Sequence, residues 1–96
     1  HCHAGISRST AAMTMLLGQA HPDLDAESVI RKVHALREKA WPNARLIAFA
    51  DDALGYDGSL TEAVRRLHAE QLRVRPHLAE LMRGLGRGRE VDAALG

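Results

Sequence analysis

His1-Cys2-His3-Ala4-Gly5-Ile6-Ser7-Arg8-Ser9 opens the chain, and Thr10-Ala11-Ala12-Met13-Thr14-Met15-Leu16-Leu17 comes directly after it. Five residues separate the thiol of Cys2 from the guanidinium of Arg8, and a hydroxyl comes next. Such a stretch reads as a tight loop feeding a helix. Backbone amides from about His3 to Arg8 can curl round a tetrahedral oxyanion beside the first helical turn. The same donors favour negative charge on the Cys2 sulfur, whose unperturbed pKa is about 8.5. Arg8 suits a planar, two-pronged grip on an oxyanion that lysine cannot reproduce. Gly5 allows positive φ or close backbone approach. Ser9 is placed to donate to the sulfur, and His1 to orient the loop.

Downstream of the loop the periodicity is helical and no strand is convincing. About five helical stretches are expected. The first runs from Ser9 to about Gln19, apolar almost all round and so buried on most sides, with Gly18 and His21-Pro22 closing it. Asp25 caps a second, with Val29, Ile30, Val33, Leu36 and Ala40 at helical spacing. Trp41-Pro42-Asn43 breaks the pattern, Trp41 packing at a helix end. Asn43 caps a third helix carrying Leu46, Ile47, Ala50 and Leu54, ended by Gly55. Ser59 to Glu62 fits a capping box opening a fourth, with Leu60, Ala63, Val64, Leu67 and Leu72 on one face. A short helix spans His77 to Met82. Gly84, Gly86 and Gly88 make 84–96 a loose tail with a weak last helix, Glu90 to Leu95.

The remaining composition narrows the class. Ninety-six residues allow one domain, and Trp41, Phe49 and Tyr56 are the only aromatics, so Leu, Ile, Val, Ala and Met must fill the core. Thirteen Lys and Arg against twelve Asp and Glu leave a formal charge of +1, no bulk attraction to nucleic acid or an anionic membrane. One cysteine excludes an internal disulfide and makes a reducing cytoplasm the expected location.

His1-Cys2, Gly5 and Arg8-Ser9 match the HCxxGxxRS/T pattern, and the chain resembles the protein tyrosine and dual-specificity phosphatase superfamily. HCHAGISRST looks most like its dual-specificity-type and bacterial members, and Pro42 to Ala48 (PNARLIA) resembles a segment downstream of the loop in some of them. The resemblance covers about a tenth of the chain. It implies an α/β parent fold, a parallel sheet flanked by helices, of which 1–96 is the C-terminal, mainly α part. It implies hydrolysis of phosphate monoesters, foremost protein phosphotyrosine, through a phosphocysteine intermediate without metal or cofactor. Cys2, Arg8 and Ser9 take the catalytic roles. His3, Ala4, Gly5, Ile6, Ser7 and Arg8 form the phosphate cradle, and His1 orients it. The general acid, an Asp on a mobile loop, is expected upstream of Cys2. Lipid-directed members often carry Lys in the loop, and its absence here favours phosphoproteins.

Other residues receive plainer readings. Asp51 and Asp52 are acidic, but solvated or capping roles suit them better than proton donation, as turns and caps suit Asp23 and Asp57. His21, His34, His68 and His77 are read as surface histidines. Arg83, Arg87 and Arg89 are read as a solvated cluster, with docking of an acidic phosphopeptide as the minor alternative. A phosphate- or phosphopeptide-binding module without turnover is the rival function, and an inactive piece the third. Without a covering sheet, Met13, Leu16 and Leu17 would meet water. The 96 residues alone are therefore expected to be molten or aggregated, and a sharp thermal melt is the contrary outcome.

Overall fold

A computed structural model describes the backbone of residues 3–96 and the side chains of residues 7–96. The readings of His1 and Cys2 lie outside the described residues, as do those of the side chains of His3, Ala4, Gly5 and Ile6. Six helices are present among the described residues and no strand. They are α1 (His3–Ala20), α2 (Ala26–Leu36), α3 (Ala44–Leu54), α4 (Ser59–Val74), α5 (Leu78–Gly84) and α6 (Gly88–Leu95). The mainly α reading of these residues is met.

Helix α4 is the hub, packing against α2, α3, α5 and α6, while α1 lies on α2 and α3. Its apolar face serves two clusters in succession. Leu60, Ala63, Val64 and Leu67 join Ala11, Ile30, Val33 and Ile47 in the first. Leu72 joins Trp41, Leu78, Met82 and Val91 in the second. Burying each large aliphatic side chain contributes about 1.5–3 kcal/mol, so α4 links two substantial stabilising units.

Helix α1 differs from expectation at both ends. It starts at His3 rather than Ser9, and it continues past Gly18 to Ala20, where the His21 amide still reaches the Leu17 carbonyl at 2.9 Å. Gly18 does not close the helix. A Cβ built there would sit 2.7 Å from the Tyr56 Oη and 3.1 Å from a Leu54 methyl, so the missing side chain lets the end of α3 and the turn after it approach α1. Of the three apolar side chains expected to meet water, only Leu16 stands out, at 65% exposure. Met13 and Leu17 are half-buried against the first cluster.

Caps decide the other boundaries. The Asp25 carboxylate accepts from the Ser28 amide at 2.9 Å, and Asn43 Oδ1 from the Arg45 and Leu46 amides, as expected. Gly55 closes α3 with φ +76°, a left-handed conformation that glycine adopts without strain. Helix α2 ends at Leu36, four residues short of Ala40. Gln71 of α4 donates to the carbonyls of Glu38 and Ala40 at 2.8 and 2.9 Å, satisfying the chain outside a helix. The segment 84–96 is not a loose tail, because α6 buries Val91 and Ala94 in the second cluster.

The capping box at Ser59 does not form. Gly58 is the cap residue, Ser59 Oγ donates to the Tyr56 carbonyl, and Glu62 pairs with Arg65 at 2.6 Å. The amides at the start of α4 go instead to Asp51, whose two oxygens accept from Gly58 and Thr61 at 2.7 Å each. Asp51 is buried, which alone raises its pKa, yet the amides of Thr61 and Gly58 hold it below the ordinary carboxylate value. Replacing Asp51 with alanine leaves both amides without acceptors and is expected to cost about 1–2 kcal/mol in urea unfolding at pH 7.

Candidate functional site

The expected cradle positions, His3 to Arg8, lie in the opening turns of α1. In a helix the amides of the N-cap residue and of the first three helical residues lack an intrahelical acceptor, so those of Ser7 and Arg8 belong to the ladder and those of His3 to Gly5 do not. This corrects the loop expectation for these residues. Helical backbone here is compatible with their composition, since Gly5 is the only weak helix former among Ala4 to Arg8. Arg8 and Ser9 are exposed, whereas Ser7 and Thr10 are fully buried.

Ser7 is the point at which the motif is anchored. Its hydroxyl donates to the Trp41 carbonyl at 2.6 Å and accepts from Arg87 Nη2 at 2.6 Å. Its carbonyl accepts from the Asn43 amide at 3.1 Å and the Thr10 hydroxyl at 3.3 Å. The Trp41-Pro42-Asn43 segment and the residue before α6 therefore converge on the neighbour of Arg8. The two adjacent residues of the motif thus divide the work. Ser7 holds the framework, and Arg8 faces solvent.

Behind Ser7 lies a buried polar cluster. The Trp41 ring stacks on the His68 imidazole with centroids 4.1 Å apart and planes 7° from parallel. Trp41 Nε1 donates to Glu90 Oε1 at 2.8 Å, and the Ala44 amide to Glu90 Oε2 at 2.6 Å. Arg87 pairs with the same carboxylate at 2.8 Å. Burial pushes the Glu90 pKa up, but hydrogen bonds from Arg87, Trp41 and Ala44 outweigh it and keep the group below its ordinary value. Glu90 also completes the N-terminus of α3, whose next amides Asn43 has taken.

His68 corrects the surface reading given to it. It is buried, and its Nε2 lies 2.9 Å from the Pro42 carbonyl. A carbonyl only accepts, so Nε2 carries the proton in the neutral ring. Burial, with Arg87 nearby, pushes its pKa down to about 4 against the opposing pull of Glu90 and the Pro42 hydrogen bond. The signal was present in the sequence: His68 lies four residues after Val64 and four before Leu72, on the apolar stripe of α4. Arg87 and Glu90 were missed for a different reason, since their partners lie 80 and 49 residues away.

The remaining assignments are simpler. Asp51 caps α4, Asp52 and Asp57 are exposed, and Asp23 is exposed in the turn before α2. Among the described residues no three His, Cys, Asp or Glu side chains gather to hold a metal ion. No helix among them is long and apolar enough to cross a membrane.

The depressed His68 pKa carries a pH dependence. Between the unfolded value of 6.5 and the folded value of about 4, the unfolded chain binds more protons, so stability falls as pH drops through that window. At about 1.36 kcal/mol per pH unit the full loss is on the order of 3 kcal/mol. Carboxylates with lowered pKa contribute their own loss only below about pH 4.5. Unfolding free energy measured from pH 7 to 5 is expected to decline in the wild type. In His68→Phe, which keeps a ring on Trp41 but cannot titrate, it is expected to stay flat.

No protein-family model, no curated protein and no solved structure matches the chain.

Proposed function

We propose that this chain carries the nucleophile and phosphate-binding segment of a phosphomonoester hydrolase whose substrates are phosphoproteins, phosphotyrosine foremost. The observation that supports this reading is the HCHAGISRS motif itself, in which Cys2 immediately precedes the 18 residues of α1. The positive end of a helix macrodipole and its free amides stabilise anions, both thiolate and phosphate. Arg8 is exposed and so accessible to a ligand, and the anchoring of Ser7 beside it fixes the backbone from which it projects.

The chemistry proceeds in two displacements. The Cys2 thiolate attacks phosphorus, an S–P bond forms, and the ester P–O bond breaks. The departing phenoxide takes its proton from a general acid, which the family resemblance locates upstream of Cys2. Arg8 donates to two equatorial oxygens as charge spreads over them. Water then attacks phosphorus, the S–P bond breaks, and inorganic phosphate leaves. The Ser9 hydroxyl donates to the sulfur as thiolate reforms. No cofactor or metal takes part in this scheme.

The test is hydrolysis of p-nitrophenyl phosphate and of a phosphotyrosine peptide, together with calorimetry of phosphate binding. Cys2→Ser is expected to abolish turnover. Arg8→Lys, which loses the planar fork, is expected to lower kcat by about 10²–10³. Phosphate binding that depends on Arg8, with no turnover of either substrate, would instead identify a non-catalytic phosphate-binding module.

A further inference from the structure

A groove of about 660 Å³ lies beside the anchored motif. Asn43, with Arg45 and Ala48 of α3, lines it together with Gly86 and Arg87 before α6 and Arg89 within α6. Its charge is one-sided. Glu90 is the carboxylate in it, and that group is buried and already engaged by Trp41, Ala44 and Arg87. Elsewhere on the surface, Arg31 and Arg66 reach Glu27, Arg65 reaches Glu62, and Arg83 reaches Asp92. Arg45 and Arg89 are exposed and, among the described residues, have no acidic partner. Two unneutralised guanidinium groups therefore share one concavity.

The backbone adds to this polarity. Arg87, the residue before α6, makes no side-chain capping bond, and the positive end of the helix dipole lies at the groove residues Arg87 and Arg89. The N-terminus of α3 lacks that capacity, because Asn43 and Glu90 have taken its amides. Arg87 also joins the groove to the motif, since its Nη2 donates to Ser7, the neighbour of Arg8.

We propose that this groove binds an acidic peptide segment, the chain flanking the phosphorylated residue of a protein substrate. The proposal rests on the phosphate-handling reading of the motif and names the substrate class for it. Carboxylates on an extended peptide meet the Arg45 and Arg89 forks two-pronged. A nucleic acid or an anionic bilayer fits less well, because both recruit broad basic faces, whereas the chain's formal charge is +1.

The experiment measures fluorescence anisotropy of an unphosphorylated Asp/Glu-rich peptide on the full chain, against the same peptide with Asn and Gln in place of the acids. The acidic peptide is expected to bind at low salt, to weaken with added salt, and to weaken about tenfold in the double variant R45S/R89S. R45K/R89K, which keeps the charges but loses the forks, is expected to bind more weakly than the wild type and more tightly than R45S/R89S. Equal binding of the two peptides, or no loss in R45S/R89S, overturns the proposal. So does tighter binding of an oligonucleotide or of phosphatidylserine vesicles through the same two arginines. Because this probe carries no phosphate, its result is independent of turnover. Acidic-peptide binding without hydrolysis of p-nitrophenyl phosphate upholds the groove while removing catalysis. Where turnover is present, kcat/KM for phosphotyrosine peptides is expected to favour acidic over neutral flanks, and R45S/R89S to erase that preference.

Discussion

A carboxylate taken out of water must be surrounded by donors, and the way Glu90 meets that demand organises the molecule. Its donors come from three places: the Trp41 indole on the link between α2 and α3, the Ala44 amide in the first turn of α3, and the Arg87 guanidinium beside α6. Each would be costly to lose, because a buried charge stripped of one partner is destabilising by several kcal/mol. Trp41 is held from its other face by His68, and its carbonyl accepts from Ser7. The position of Ser7 beside Arg8 is thus set by residues more than thirty positions away.

The parts of this arrangement visible in the sequence are those governed by near neighbours. Asp25 caps α2 through Ser28, three residues on, and Asn43 caps α3 through Arg45 and Leu46. Gly55 ends α3 because only the local backbone is involved. Local rules fail where a distant group competes. Ser59 and Glu62 have capping-box spacing, but the helix is capped one residue earlier, at Gly58, and Asp51 reaches across the turn to the amides of Gly58 and Thr61. The pattern of α2 runs on to Ala40, yet the helix stops at Leu36 and Gln71 of α4 donates to the Glu38 and Ala40 carbonyls of the non-helical segment after it. Gly18 resembles a helix terminator and acts as a point of close approach to Tyr56 and Leu54. Its role depends on a partner that arrives from α3.

For the candidate site, composition and spacing carry the chemical reading, while the fold supplies what surrounds it. Cys2, Arg8 and Ser9 are recognisable by type and interval alone. The support beside Arg8 was not legible, since nothing in the motif gives Ser7 a buried anchoring role, and a histidine, an arginine and a glutamate scattered along the chain carry no motif. His68 was the most accessible of the four, because helical spacing puts it on the apolar stripe of α4. The arrangement also separates roles by exposure. Buried polar groups such as Ser7 and Glu90 fix geometry, and exposed arginines such as Arg8, Arg45 and Arg89 remain available to ligands.

The contact between Ser7 and Arg87 spans 80 positions and has a consequence for synthesis. A ribosome adds about 5–20 residues per second, so on the order of ten seconds pass between the emergence of Ser7 and that of Arg87. During that interval the Ser7 hydroxyl has no guanidinium and Trp41 has no carboxylate. The segment bearing the thiol is made before α6 and gains its buttress only afterwards. The hydrogen bonds that seat Ser7 and Trp41 therefore wait on α6, and the first helix takes its final place only after that helix has emerged.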